Sequence, residues 1–193
     1  DDVLLALKLI FQPWKWNKGQ AVFELEEKFK NYLGIKYAVS FNSGRTGLLA
    51  ILKSLGLKQE EEVILQAFTC VAAVDPILWA DLKPIYVDCD KDTFNIDIGD
   101  LERKIILRQA QDKAPNTRVL MVQHTFGLPG NMDEIIALAK QYNLILIEDC
   151  AHALGAEING RKVGTFGRAS FFSFSRDKNI SSVYGGIAVT NDD

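Results

Sequence analysis

Short apolar runs recur along the chain, separated by stretches whose apolar residues fall every three or four positions. The runs Tyr37–Phe41, Glu62–Gln66, Pro84–Val87, Arg118–Gln123, Leu144–Glu148, Ala169–Phe174 and Gly186–Thr190 predict seven strands. Several are continuous rather than alternating, as in Leu144-Ile145-Leu146-Ile147, the pattern of a strand covered on both faces. Between them, Val22–Tyr32 sets Val22, Leu25, Phe29 and Leu33 along one helical face. Arg45–Leu55 does the same with Leu48, Leu49, Leu52 and Leu55, and Gly56 follows as a stop. Asn131, with Glu134 three residues on, resembles a capping box ahead of Ile135, Leu138, Ala139 and Tyr142. Strand alternating with helix predicts an α/β domain with a mostly parallel seven-stranded sheet flanked by helices. The rhythm breaks near the end. Only about a dozen residues separate Phe174 from Gly186, so at least one of the last two strands is expected to run antiparallel. Gln109–Asn116 is polar and lacks periodicity, and reads as an exposed loop.

Composition narrows the partners rather than the fold. The chain's 193 residues suit one well-packed domain, and 48% hydrophobic with 24% charged residues is ordinary for a soluble globular protein. With 22 Lys+Arg against 25 Asp+Glu and no basic block, the net charge of −3 argues against nucleic acid as the main partner. Cys70, Cys89 and Cys150 are odd in number and widely spaced. With only His124 and His152 to join them, they suggest neither a metal site nor a disulfide framework but buried thiols in a reducing cytoplasm. Val3–Phe11 is apolar but preceded by two aspartates and interrupted by Lys8, a poor signal peptide. No run reaches the length of a membrane span. The chain starts without Met and stops just after a strand-like run, so it is expected to be part of a longer protein.

In open α/β sheets, ligands sit beyond the carboxyl ends of the strands. Here that means the loops after Phe41, Gln66, Gln123, Glu148 and Phe174. The first loop, Asn42-Ser43-Gly44-Arg45-Thr46-Gly47, opens straight into a helix. Gly44 allows a close backbone approach, and free N–H groups of Arg45 and Thr46 would attract a phosphate. The plainer reading makes Ser43 an ordinary N-cap. The motif lacks both the P-loop ending and the dinucleotide glycines. After the strand through Ile147 come Glu148-Asp149-Cys150-Ala151-His152. Asp149 could hold a pyridinium nitrogen and His152 could stand over or beside the ring, or the aspartate could cap a helix while the histidine packs. In Ser173-Phe174-Ser175-Arg176-Asp177-Lys178, the lysine could form an imine with an aldehyde and the serines could donate to a phosphate. Alone, Lys178 would be a solvated charge and Gly185-Gly186 a turn. In this order, with Lys178 29 residues beyond Asp149, the three segments supply what a pyridoxal 5'-phosphate site needs: a phosphate anchor, a ring-nitrogen partner and an imine lysine.

From about Gly19 to its end, the sequence resembles the DegT/DnrJ sugar aminotransferases, fold-type I pyridoxal-phosphate enzymes. The matching segments are KYAVSFNSGRTGL (Lys36–Leu48), EVILQAFTCV (Glu62–Val71), PIYVD (Pro84–Asp88), TFNID (Thr93–Asp97), HTFGLPGNMD (His124–Asp133), IEDCAHALGA (Ile147–Ala156) and Ser173–Asn191. The resemblance implies that residues 1–193 are the cofactor-binding large domain of the fold-type I transferases, with residues 1–35 leading into it and a C-terminal small domain beyond this chain. It implies Lys178 as the imine lysine and proton shuttle and Asp149 as the pyridinium partner. Ser43, Gly44, Arg45, Thr46 and Ser173 would bind the phosphate, and His152, where the family usually has Gln, would stand near the phenolic oxygen. Cys70 falls where an aromatic often stacks on the ring, and Phe68 is placed to compensate. Arg45 replaces a common Thr, and Tyr184 stands where an acidic residue is usual before the two glycines. The implied activity is transfer of an amino group, from a donor such as glutamate, to a keto sugar on a nucleotide, by a cytoplasmic homodimer. Two enzyme alternatives share the fold: a sugar dehydratase, whose characteristic His in place of the lysine argues against it here, and an amino-acid lyase. A non-catalytic binding relative would need neither Lys178 nor Asp149.

Overall fold

The computed structural model describes residues 2–15, 19–111 and 116–193. Helices α1 (Asp2–Ile10) and α2 (Gln20–Leu33) precede strand β1 (Tyr37–Phe41). There follow α3 (Gly44–Ser54), β2 (Glu62–Gln66), α4 (Val71–Trp79), β3 (Lys83–Val87), α5 (Ile98–Gln111) and β4 (Thr117–Gln123). After α6 (Met132–Gln141) and β5 (Ile145–Asp149), a small hairpin of β6 (Glu157–Ile158) and β7 (Arg161–Lys162) leads to β8 (Ala169–Ser173) and β9 (Gly186–Thr190).

All seven predicted strands form, each within a residue of its expected ends, and they make one sheet in the order β1-β9-β8-β5-β4-β2-β3. The pairings β3–β2, β2–β4, β4–β5 and β5–β8 are parallel. Strand β9 runs antiparallel to both its neighbours, β8 and β1, as the short final connection required.

The continuous apolar strands are explained by a core on each face. Along β2 and β4, Ile64, Leu120 and Val122 join Leu101, Ile105, Ile135 and Leu138 of α5 and α6 on one face. Their neighbours Val63, Leu65, Val119 and Met121 join Leu48, Leu52 and Ile77 of α3 and α4 on the other. Period-two alternation thus survives, with both phases apolar. A third cluster packs Phe29 and Leu33 of α2 against Phe172, Phe174, Ile187 and Val189. Phe29 meets the rings of Phe172 and Phe174 edge-on, at 5.3 and 5.7 Å between centroids.

Three local expectations are corrected. Val22 is exposed, since the buried stripe of α2 lies nearer its C-terminus. The polar stretch from Gln109 continues α5 to Gln111 instead of opening a loop there, and residues 112–115 lie outside the described residues. Gln and Ala favour the helix, and Arg108 holds this end of it to buried Glu62 on β2 through a 3.1 Å Nε bond. Asn131 does stand at the N-cap of α6, but its side chain bonds the Glu134 carboxylate and not a backbone N–H. Helix α1 exposes Val3, Leu4, Leu5, Leu7 and Ile10. Among the described residues, no helix is long and apolar enough to cross a membrane.

Candidate active site

Five strands of one sheet direct their carboxyl ends or following loops at a single cavity of about 280 Å³. Gly44 and Arg45 reach it from the loop after β1, Phe68 and Cys70 from beyond β2, and Gln123 and Phe126 from the end of β4. Asp149 and His152 come from the end of β5, and Ser173 and Lys178 from β8 and the turn beyond it. The strand-end rule therefore located the cavity. Of the candidate residues, Ser43 and Thr46 do not line it.

Those two build the helix start instead. Ser43 caps α3 by accepting the Thr46 N–H at 3.1 Å, and the Thr46 hydroxyl donates to Asn42 at 2.5 Å. The N–H of Thr46 is thus already used, contrary to the expectation that it points free. Gly44 is buried; a Cβ there would lie 3.1 Å from Ser173 Cβ and 3.2 Å from the Phe172 carbonyl. Its lack of a side chain serves the fit of α3 against β8. The second glycine of Gly185-Gly186, legible in the sequence only as a turn, has a firmer role. A Cβ on Gly186 would fall 2.3 Å from Gly44 N and 2.4 Å from Ser43 C, so β9 and the start of α3 meet backbone to backbone. Gly186→Ala is expected to push the helix N-terminus off the sheet and cost about 1–3 kcal/mol in thermal unfolding. Gly47→Ala, whose Cβ would make an ordinary 3.4 Å contact with Phe41, is the control expected to be near neutral.

Asp149, the last residue of β5, is buried. Its carboxylate accepts the Ala151 N–H at 2.9 Å and faces the cavity. Burial pushes the Asp149 carboxyl up to about 6, against the pull of that N–H and of the Lys178 charge. Lys178 has its amine 2.6 Å from His152 Nε2 and 3.0 Å from Asp177. Burial and then the neighbouring Lys178 charge hold His152 below its usual range, while Asp177 acts in the opposite direction. Ser175 does not line the cavity; its carbonyl accepts the Lys178 N–H at 3.1 Å. Arg45 turns its guanidinium to Asp75, 3.6 Å away, and over the Trp79 ring. The expectation of three buried thiols holds for Cys150 alone: Cys70 is exposed at the cavity and Cys89 is half-buried, while burial pushes the Cys150 thiol well up.

Beneath Asp149, His124, Glu148 and Cys150 place their ligand-type atoms within 4.8 Å of one another, but the arrangement does not suit a metal. Glu148 already accepts the backbone N–H groups of Gly164, Phe166 and Gly167 at 2.6–2.7 Å. His124 Nδ1 accepts the Gly130 N–H at 3.2 Å, so Nε2 carries the ring hydrogen and donates to Glu148 at 3.1 Å. A metal-bound imidazole would need the opposite arrangement, with its second nitrogen as donor. Glu148 thus fixes the loop of residues 163–167.

Sequence reasoning missed Thr69 and Gln123, which bond each other at 2.6 Å on the cavity wall, and Phe126. Gln123 and Phe126 lie in or beside the loop flagged after β4, but nothing in their residue type marked them.

A family model for the DegT/DnrJ/EryC1/StrS aminotransferase family matches residues 2–193. The GDP-perosamine synthase of Escherichia coli O157:H7 is 37% identical over 179 residues, covering 93% of this chain and 47% of that protein. The UDP-N-acetyl-3-dehydro-alpha-D-glucosamine 3-aminotransferase of Acidithiobacillus ferrooxidans is 33% identical over 193 residues, covering 100% of this chain and 50% of that protein. Among solved structures, the Helicobacter pylori aminotransferase PseC, involved in the biosynthesis of pseudoaminic acid, superposes with TM-score 0.81 at 30% identity, over 91% of this chain and 45% of its own. The E. coli GDP-4-keto-6-deoxy-D-mannose-3-dehydratase with bound hydrated PLP does so with TM-score 0.85 at 29% identity, over 98% of this chain and 48% of its own. The chain spans about half the length of the curated relatives it matches.

Proposed function

The chain belongs to the DegT/DnrJ/EryC1/StrS aminotransferase family, and from that premise we propose that its protein is a pyridoxal-phosphate-dependent aminotransferase. The acceptor in this reading is a keto sugar on a nucleotide, as the names of the relatives suggest, and the amino donor is glutamate. The reading extends to a cytoplasmic homodimer working in cell-surface polysaccharide or secondary-metabolite biosynthesis. The exposed apolar residues of α1 offer surface for such a dimer to bury.

One observation carries the assignment: the Lys178 amine and a buried Asp149, raised to about 6, line the same cavity as the start of α3. The residues present fit the cofactor. The buried Asp149 carboxylate accepts the Ala151 N–H and is the kind of group a protonated ring nitrogen would satisfy. Gly44 and Ser173 bring a helix N-terminus and a hydroxyl to the same wall, a donor set for a phosphate. When bound, pyridoxal phosphate supplies an electron sink for charge developing on the substrate carbon.

The chain's own residues do the remainder. Asp149 would keep the ring nitrogen protonated, and its burial makes that charge pair stronger than it would be in water. Ser173 and the N–H groups at the start of α3 would hold the phosphate. Lys178 Nζ is the amine that would hold the cofactor by its aldehyde group, and as a free amine it would move the proton from the substrate's amine-bearing carbon to the cofactor's former aldehyde carbon. Phe68 and Phe126 line the cavity and would exclude water from that transfer.

Full-length protein mixed with pyridoxal phosphate, reduced with borohydride and mapped by peptide mass spectrometry should carry a pyridoxyl label on Lys178. Prior incubation with glutamate should remove that label, because the cofactor then holds the amine itself. A label that glutamate leaves untouched would favour a binding relative; a folded full-length protein that takes no label on Lys178 would sink the reading.

A further inference from the structure

Phe126 is an aromatic residue in left-handed backbone, φ 52 and ψ 25, and is 66% exposed. Glu60, Asp81, Phe94, Asn143, Asn159 and Val183 also have positive φ; short polar side chains tolerate that region, whereas bulky ones such as Phe94 and Phe126 hold it only with support from their surroundings. Strain of this kind persists only where the surroundings fix it, and here they do. His124, two residues before, is clamped between the Gly130 N–H and Glu148. The Thr125 N–H donates to Asn95 at 2.9 Å, and the Thr125 hydroxyl meets Gln66 at 2.9 Å and the Phe94 carbonyl at 3.1 Å. Gly127, left-handed at φ 85, rides so close to His152 that a Cβ would lie 3.2 Å from its carbonyl.

The outcome of this bracing is the placement of one ring. Phe126 lies nearly parallel to the His152 imidazole, 12° between planes and 6.1 Å between centroids, and the imidazole Nε2 is 2.6 Å from Lys178 Nζ. Phe126 also meets Phe68 edge-on at 6.1 Å. No buried apolar cluster includes Phe126, so core packing does not account for the strain.

We infer that Phe126 is a positioning residue: its ring, fixed by the braced loop after β4, holds the His152 imidazole against the Lys178 amine. With an ammonium at Lys178, Nε2 accepts and Nδ1 carries the ring hydrogen. The charged groups facing the imidazole are Lys178 and, at 4.0 Å, Asp177. The inference rests on reading Lys178 as the reacting amine, but its test can be made without cofactor.

In full-length protein freed of cofactor and carrying 13C at histidine Cε1, the His152 resonance is assigned by its loss in His152→Gln. Its titration midpoint in wild type should lie below the ordinary 6.5. Phe126→Gly removes the ring from a backbone that glycine adopts freely, so the midpoint should rise by roughly half a unit or more as the imidazole gains water and swings from Lys178. Phe126→Tyr should keep the wild-type midpoint, and Phe126→Leu, which retains bulk without a flat face, should behave like the glycine variant and stands in for it if that variant fails to fold. Pyridoxyl labelling of Lys178 at fixed pH should slow several-fold in the same two variants. An unchanged midpoint in either folded variant would overturn the inference. A wild-type protein that never labels at Lys178 would instead overturn the functional reading and leave the titration to judge Phe126.

Discussion

Lys178→Ala is expected to abolish amino transfer while leaving the protein folded. Loss of the proton carrier alone is worth roughly 10²–10⁴ in rate, and loss of the covalent anchor adds to it. The structural cost is small because the side chain serves no apolar cluster; its contacts are the His152 ring at 2.6 Å and Asp177 at 3.0 Å. Unfolding should therefore shift by less than about 1 kcal/mol. Turnover assayed with glutamate and a nucleotide-linked keto sugar, beside a thermal melt of the same sample, checks both halves. A variant that keeps more than a few per cent of wild-type turnover would move the reacting amine elsewhere.

Asp149→Asn should likewise lose activity, but in a protein more stable than wild type. The folded pKa of Asp149, about 6, stands above its ordinary value of 3.8 because burial disfavours the carboxylate. The folded chain thus holds this proton more tightly than the unfolded chain does. Stability of the cofactor-free protein is then highest below the unfolded value and falls as pH rises from about 4 through about 6, levelling at a loss of about 3 kcal/mol. Asparagine can still accept the Ala151 N–H but never ionises. The variant should equal wild type near pH 4 and exceed it by about 3 kcal/mol at pH 8, read from denaturant unfolding of cofactor-free protein at both values. Removing the fixed charge opposite a protonated ring nitrogen should slow turnover by roughly 10²–10³. Equal stabilities at pH 8 would mean that water or a neighbouring cation solvates the carboxylate.

The antiparallel end of the sheet and the strand boundaries were legible because apolar runs bounded by turns leave few alternatives, and because about a dozen residues leave little room for a parallel crossover. The site was legible as an order of segments rather than as single residues. Asp149, His152, Ser173 and Lys178 do line one cavity, whereas Ser43 proved to be the cap of α3 and Thr46 the donor it accepts from. Side-chain direction decided the misses: the sequence puts Thr46 in the phosphate-type loop with a free N–H, but does not show that the Ser43 hydroxyl takes it. Arg45 could not be read either, because its partner Asp75 sits on another helix. Gly186 looked like a turn since the segment it must admit, Ser43–Gly44, lies more than 140 positions earlier in the chain.

That last distance sets an order of events in biosynthesis. Strand β1 pairs with β9, residue 37 opposite 190 and residue 41 opposite 186, while the parallel strands between them find partners closer in sequence. On the ribosome, β1 and the loop that begins α3 emerge early and wait for the last strand of this region before they can dock. Contacts of such separation are slow to form, and waiting strands are exposed to wrong pairings. The end of the cavity formed by Gly44 and Arg45 is thus the last part of it to be assembled, once Gly185 and Gly186 have left the exit tunnel.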